Sequence, residues 1–193
     1  MSDKVTNILL VGVGGQGILL AAEILSETFM LAGFDVKKSE IHGMSQRGGS
    51  VVSHVRYGKE VYSPIVPEGE GDILFGFELM ESYRSLPLLK TGGTVVANDL
   101  CIAPPSVLMG KEPYPEDLAQ RIAERFPDFL LVDGQELAIK AGNARVANTV
   151  LLGAVSKRLD IEEKYWIEAI EKMVPKKALE VNLAAFRMGR ALA

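Results

Sequence analysis

Asn7-Ile8-Leu9-Leu10-Val11-Gly12-Val13-Gly14-Gly15-Gln16-Gly17 is the stretch on which the fold turns. Its first seven residues are almost wholly apolar, the signature of a strand buried on both faces. It then breaks into glycine at positions 12, 14, 15 and 17. Beyond it, Ile18, Leu19, Ala22, Leu25, Phe29 and Met30 recur at helical spacing until Gly33 stops the run. Residues 34–39 predict a second strand. A strand, a glycine turn, a helix and a strand in so short a stretch form a βαβ unit, with the right-handed crossover such units adopt.

Downstream the pattern changes and then resumes. Residues 50–56 alternate as a half-buried strand, and Tyr57-Gly58-Lys59 predicts a turn into a partner over residues 60–63, an inserted β-hairpin. Strands follow over 72–77, 94–98 (with Gly92-Gly93 as the turn before it) and 129–132. A short helix over 78–86 ends at Pro87, and a proline-rich loop fills 103–115. Helices are expected over 115–126, 135–141, 143–159, 162–174 and 177–192. In the last, Leu179, Leu183 and Phe186 share one face, which suits packing on its own domain or on a partner. Gly153 and Ala154, small residues inside a helix, invite another backbone to approach. The expectation is α/β: a Rossmann-like, mostly parallel sheet with flanking helices, the inserted hairpin and a C-terminal helical segment, as one domain over residues 1–193.

Bulk properties bound the function. A chain of 193 residues with 48% apolar content buries roughly 70% of its unfolded surface, so it needs neither disulfide nor metal for a core. With 21 basic and 25 acidic residues, it lacks the basic excess that neutralises a nucleic-acid backbone. The lone thiol, Cys101, cannot form an internal disulfide or supply a four-thiolate iron–sulfur cluster; a small buried residue is the expectation. The amino terminus runs directly into a strand without a signal peptide, and no apolar run spans a bilayer, so a cytoplasmic location is expected. Two histidines without Cys–His spacing give no metal site.

The chemistry concentrates in two segments. Gly12, Gly14 and Gly17 satisfy G-x-G-x-x-G in its required strand–turn–helix setting. In that pattern the first glycine permits the turn, the second lets backbone approach a ligand, and the third lets helix and strand pack. The N–H groups and the helix dipole then favour an anion. A close-packed turn with nothing bound satisfies the same sequence. A dinucleotide further needs an acid ending the second strand; Glu40 is the nearest, with Asp35 early in that strand. The second segment, Ser39 to Ser50, gathers Glu40, His42, Gln46 and Arg47 among glycines just past a strand end, where open α/β sheets keep their ligand crevice. Arg47 beside Gly48 and Gly49 suits a carboxylate or phosphate, and His42 suits a proton relay. A surface loop with an internal ion pair is the plainer alternative. His54, within a strand, reads as structural. Asn148 is polar in an apolar stretch and needs partners if buried. The candidate catalytic residues are Glu40, His42 and Arg47. The candidate cofactor-binding residues are Gly12, Gly14, Gly15, Gln16, Gly17, Arg47, Gly48 and Gly49.

Three segments in order carry a family likeness: Gly-x-Gly-Gly-Gln-Gly over 12–17, Glu-x-x-Gly-x-x-x-Arg-Gly-Gly over 40–49, and Asn-Thr-x-x-Leu-Gly over 148–153. Together they resemble the gamma subunit or domain of 2-oxoacid:ferredoxin oxidoreductases. In pyruvate and 2-oxoglutarate members the middle loop is similar to Tyr-Gly-x-Glu-x-Arg-Gly-Gly. Here Met44-Ser45-Gln46 stands in its centre, a form that looks closest to the indolepyruvate branch. The resemblance implies a reaction: a 2-oxoacid, here an aryl pyruvate, is decarboxylated on thiamine diphosphate, coenzyme A takes the acyl group, and electrons leave through iron–sulfur clusters to ferredoxin. It also implies that a larger alpha subunit carries those redox groups, that this chain alone is inactive, and that it borders the active site or the coenzyme A path. A gamma subunit for another 2-oxoacid, a stand-alone nucleotide-binding oxidoreductase, and an assembly module whose glycine loop only packs remain the alternatives.

Overall fold

The computed structural model describes residues 4–42 and 49–192. The opening apolar run forms β1 (Thr6–Val13), and its alternation explains its composition. Ile8 and Leu10 enter one core while Leu9 and Val11 enter another on the opposite face of the sheet. β1 is therefore a central strand buried on both sides.

Six strands form one mixed sheet in the order β2-β3-β1-β4-β5-β6. After α1 (Ile18–Leu31) the chain enters β2 (Asp35–His42), as the βαβ reading requires. However, β2 does not lie beside β1. β3 (Ser50–Gly58) sits between them, antiparallel to both, with Val13 opposite Ser50 on one side and His42 opposite Val51 on the other. β3 is thus the inserted hairpin's second strand, and its partner is β2. Residues 60–63, expected to return beside it, form no strand. β1, β4 (Gly71–Gly76), β5 (Leu89–Asn98) and β6 (Phe129–Val132) run parallel.

Other boundaries shift for local reasons. Gly92-Gly93 lies inside β5 as an irregularity, with Gly92 at φ +74° and a register shift between the Gly71 and Ile73 pairings. The proline-rich loop holds one helical turn, α3 (Pro105–Leu108). α2 (Leu79–Arg84) is capped by Glu78, α4 (Leu118–Arg125) follows Asp117, and α5 (Gly134–Ala141) is capped by Asp133. The helix expected over 143–159 divides into a 3₁₀ turn, Ala144–Val146, and α6 (Ala147–Ser156). Cys101, expected in the core, is exposed.

α7 (Glu163–Met173) and α8 (Leu179–Arg190) close the larger core, where Trp166 stacks on Phe186 with ring centroids 5.9 Å apart and meets Phe29 edge-on. α8 buries Leu183 and Phe186 within its own chain. It crosses α6 at Gly153 and Gly189. A Cβ on Gly153 would stand 2.1 Å from the Phe186 carbonyl oxygen, and one on Gly189 only 1.8 Å from that of Val150. The close approach expected at Gly153 is thus a helix–helix contact.

Candidate functional site

The glycine turn joins β1 to α1 through two left-handed residues, Gly15 (φ +102°) and Gly17 (φ +79°), where an L side chain is strained. Gly12 is not the turn residue. It lies inside β1, and a Cβ there would meet Gln16 Oε1 at 2.6 Å and Phe77 Cβ at 2.8 Å. Gly17 caps α1, and its missing Cβ makes room for Asn148 of α6, whose Nδ2 would stand 2.7 Å away. The helix packed against Gly17 is therefore α6.

Gln16 holds the turn in shape. Its Oε1 accepts from the Val13 N–H at 2.7 Å, and its Nε2 donates to the Phe77 carbonyl at 2.8 Å, fastening the turn to the end of β4. Asn98, at the end of β5, donates to the same carbonyl at 3.3 Å and accepts from the Gly134 N–H at 3.0 Å. The carboxyl ends of β1, β4 and β5 and the start of α5 are thus tied together by two amide side chains.

A cleft of about 460 Å³ opens there, lined in part by Gln16, Phe77, Asn98, Gln135, Arg145 and Asn148. It sits where the connections from β1 and β4 diverge, the place where open α/β sheets bind ligands. A second cleft of about 430 Å³ lies along the same glycines, with Ile18, Leu19, Leu20 and Val51. Asn148 is buried; its Nδ2 donates to the Gly17 carbonyl at 3.4 Å, and it accepts from the Thr149 hydroxyl at 3.4 Å. Arg145 is exposed on the 3₁₀ turn before α6. Sequence reasoning missed it. The available signal was a cation three residues before the Asn148 motif, but nothing local says that the α6 end meets the glycine turn.

The second predicted segment meets the first through backbone: the Gly14 N–H donates to the Gly49 carbonyl at 2.9 Å. Gly14 therefore spends its N–H on the neighbouring segment. Ser50, the next residue, donates its hydroxyl to Glu81 Oε2 at 2.6 Å, and Arg84 donates to the other Glu81 oxygen at 2.9 Å. Arg47 and Gly48 lie outside the described residues, as does the His42 side chain. Glu40 belongs to β2, opposite Ser53, and its carboxylate pairs with Lys38 at 3.0 Å. Lys38 also binds Glu23 of α1. Burial works against the Lys38 charge, but the two carboxylates outweigh it and raise its pKa. Glu40 is not among the residues lining either cleft. With β3 interposed, β2 is two strand spacings, about 9–10 Å, from β1. An acid on β2 is poorly placed to receive the ribose of a dinucleotide seated on the glycine turn.

Two further polar groups are structural. His54 is buried and accepts the Val66 N–H on Nδ1 at 3.0 Å; burial, helped by Arg56, pushes its imidazole below the ordinary value. Glu78 is buried and accepts from Tyr114, Ile102 and Glu81. Burial first, then hydrogen bonds with Cys101 and Glu78, pushes the Tyr114 phenol far above its usual range. No metal-binding group of three His, Cys, Asp or Glu occurs among the described residues.

Comparison with known proteins agrees on one family. The family profile described as pyruvate ferredoxin/flavodoxin oxidoreductase matches residues 7–192. The chain is 43% identical over 191 residues to indolepyruvate oxidoreductase subunit IorB of Pyrococcus horikoshii, covering 96% of this chain and 95% of that one. It is 42% identical, with the same coverage, to the subunit of that name from Thermococcus kodakarensis. Among solved structures, the gamma subunit of a keto/oxoacid ferredoxin oxidoreductase from Geobacter sulfurreducens superposes with a TM-score of 0.71 at 25% identity, over 97% of this chain and 98% of that one.

Proposed function

The chain belongs to the pyruvate ferredoxin/flavodoxin oxidoreductase family, and from that premise we propose that it is the small subunit of an indolepyruvate-type 2-oxoacid:ferredoxin oxidoreductase. The carrying observation is the likeness, along almost the whole chain, to two subunits named for indolepyruvate. The Met44-Ser45-Gln46 centre of the 42–49 segment supports the same branch. The holoenzyme joins an aryl pyruvate to coenzyme A with loss of carbon dioxide and passes two electrons to ferredoxin. In this reading a larger alpha subunit carries the thiamine diphosphate and the clusters; the single cysteine here cannot supply a four-thiolate cluster. The same reading places the complex in the cytoplasm. Separately, no described helix is long and apolar enough to cross a membrane.

This chain's own part is to bind and orient. The crevice at the ends of β1, β4 and β5 offers a left-handed glycine turn, a helix amino terminus, the Arg145 guanidinium and apolar walls from Leu20, Phe77 and Leu151. Those groups fit the anionic, partly apolar nucleotide end of coenzyme A. Coenzyme A supplies the thiol that accepts the acyl group. The residues here would hold its charged end and leave the thiol free to reach the partner's reaction centre. From the sequence alone, Arg47 with Gly48 and Gly49 is proposed as a further anion-binding element and His42 as a proton relay.

The test is reconstitution. Co-expressed with its large partner, the chain is expected to support coenzyme A-dependent ferredoxin reduction with indolepyruvate in preference to pyruvate or 2-oxoglutarate; alone, it is expected to do neither. Full activity of the isolated chain, or a complex that prefers pyruvate, would overturn the assignment.

A further inference from the structure

We propose that Glu81 is a positioning residue for the glycine cradle, acting through Ser50; this rests on the reading of that cradle as a coenzyme A-binding element. Glu81 is 9% exposed, on the short helix that leaves β4 toward the side of the sheet facing away from α1. Both carboxylate oxygens are used, one on Arg84 and one on the Ser50 hydroxyl. A buried carboxylate is costly unless such partners hold it, and a hydrogen bond to a charged acceptor is stronger than a neutral one. Serving one serine at a strand's first residue is therefore a specific use of charge.

That serine stands at a junction. It faces Val13, the last residue of β1, across the antiparallel ladder. The preceding carbonyl, Gly49, takes the Gly14 N–H. Gly49 thus fixes the Val13–Gly14 peptide, while Gln16 holds the preceding Gly12–Val13 peptide and ties the turn to Phe77. Glu81 reaches from the first turn of α2 to hold the first of these clamps, and Phe77, the second clamp's anchor, lies four residues before it on the connection from β4. One short segment therefore sets the attitude of the cradle from both sides. Neither cleft is lined by Glu81, so its effect on a ligand passes through Ser50.

The experiment uses the co-purified complex and four variants: Ser50→Ala, Ser50→Thr, Glu81→Ala and the Ser50→Ala/Glu81→Ala pair. Two readouts are taken, amide hydrogen exchange over residues 14–17 and the steady-state constants with coenzyme A as the varied substrate. Ser50→Ala is expected to speed exchange of the Gly14 amide and to raise KM for coenzyme A on the order of tenfold, the value of one charge-assisted hydrogen bond, with kcat moving far less. Ser50→Thr keeps the hydroxyl and is expected to restore both readouts. Glu81→Ala should add little to KM once Ser50 is alanine. Unchanged exchange in Ser50→Ala overturns the proposal whatever the activity. Faster exchange with KM unmoved in an active complex overturns it too, leaving only a structural tether. A wild-type complex that shows no coenzyme A-dependent turnover defeats the assigned function instead, and exchange alone then decides whether the clamp exists.

Discussion

At the residue scale, the glycine turn separates two effects that a motif merges. Gly15 and Gly17 both have positive φ, but a Cβ on Gly15 would meet nothing within 4 Å, whereas one on Gly17 would strike Asn148. Gly15→Ala should therefore cost about 1–2 kcal/mol, the left-handed penalty alone. Gly17→Ala should cost that plus the displacement of a buried amide, about 1–3 kcal/mol more. Urea unfolding of the two variants checks the order, and equal losses would show that Asn148 yields freely. Arg145 gives the converse case. It is exposed, so Arg145→Ala should change stability by no more than about 0.5 kcal/mol. If it grips a phosphate of coenzyme A, the loss should raise KM for coenzyme A about tenfold or more, with Arg145→Lys between. Assays of the complex at fixed ionic strength decide it. The turn was legible because strand, glycines and helix are contiguous in sequence. Arg145 was not, because it lies 128 residues beyond Gly17 and is brought to it only by the docking of α6.

At the element scale, the crossing of α6 and α8 is set by two missing side chains. Gly153 and Gly189 put backbone against backbone, and no rotamer can relieve a methyl group placed 1.8 Å from a carbonyl oxygen. Gly189→Ala must push the helices apart, with an expected loss of about 3 kcal/mol or more. Trp166 reports the event, since it is the chain's one tryptophan, fully buried and stacked on Phe186 of α8. Its emission should shift to longer wavelength in the variant, and an unshifted spectrum with native stability would contradict the crossing. Gly153 marked this contact in sequence because a glycine inside a helix needs a reason. The order of strands left no such mark. β2 and β3 read as strands from their own patterns, but which strand lies beside β1 depends on long-range pairing. A turn at 57–59 looks the same whether the chain folds back on itself or inserts between two strands already present.

At the scale of the whole molecule, one end of the sheet carries the two clefts and the other carries the charge that holds the strands together. Asp72, at the start of β4, accepts from the Asn7 N–H of β1 at 2.8 Å, from Lys4 at 3.2 Å and from Lys90 of β5. Three parallel strands are thus gathered on one carboxylate. Burial acts against that charge, yet the hydrogen bonds from Lys90, Asn7 and Lys4 outweigh it and hold the pKa below its ordinary value of 3.8. His54, pinned in β3 by Val66, is also depressed, from 6.5, because burial disfavours its cation. Both shifts have the same sign for stability. In each case the unfolded chain takes up its proton at a higher pH than the folded one, so the stabilisation is complete above the unfolded value and is lost as pH falls through the folded one. Two descending limbs follow for the denaturant midpoint against pH, one beginning near 6.5 from His54 and one below about 3.8 from Asp72. His54→Gln should flatten the first limb and spare the second. Asp72→Asn should flatten the second, and it should also lower the plateau at neutral pH, because the gathered strand ends lose a charged acceptor. A His54→Gln chain that keeps the wild-type slope below pH 6.5 would place that protonation on another group.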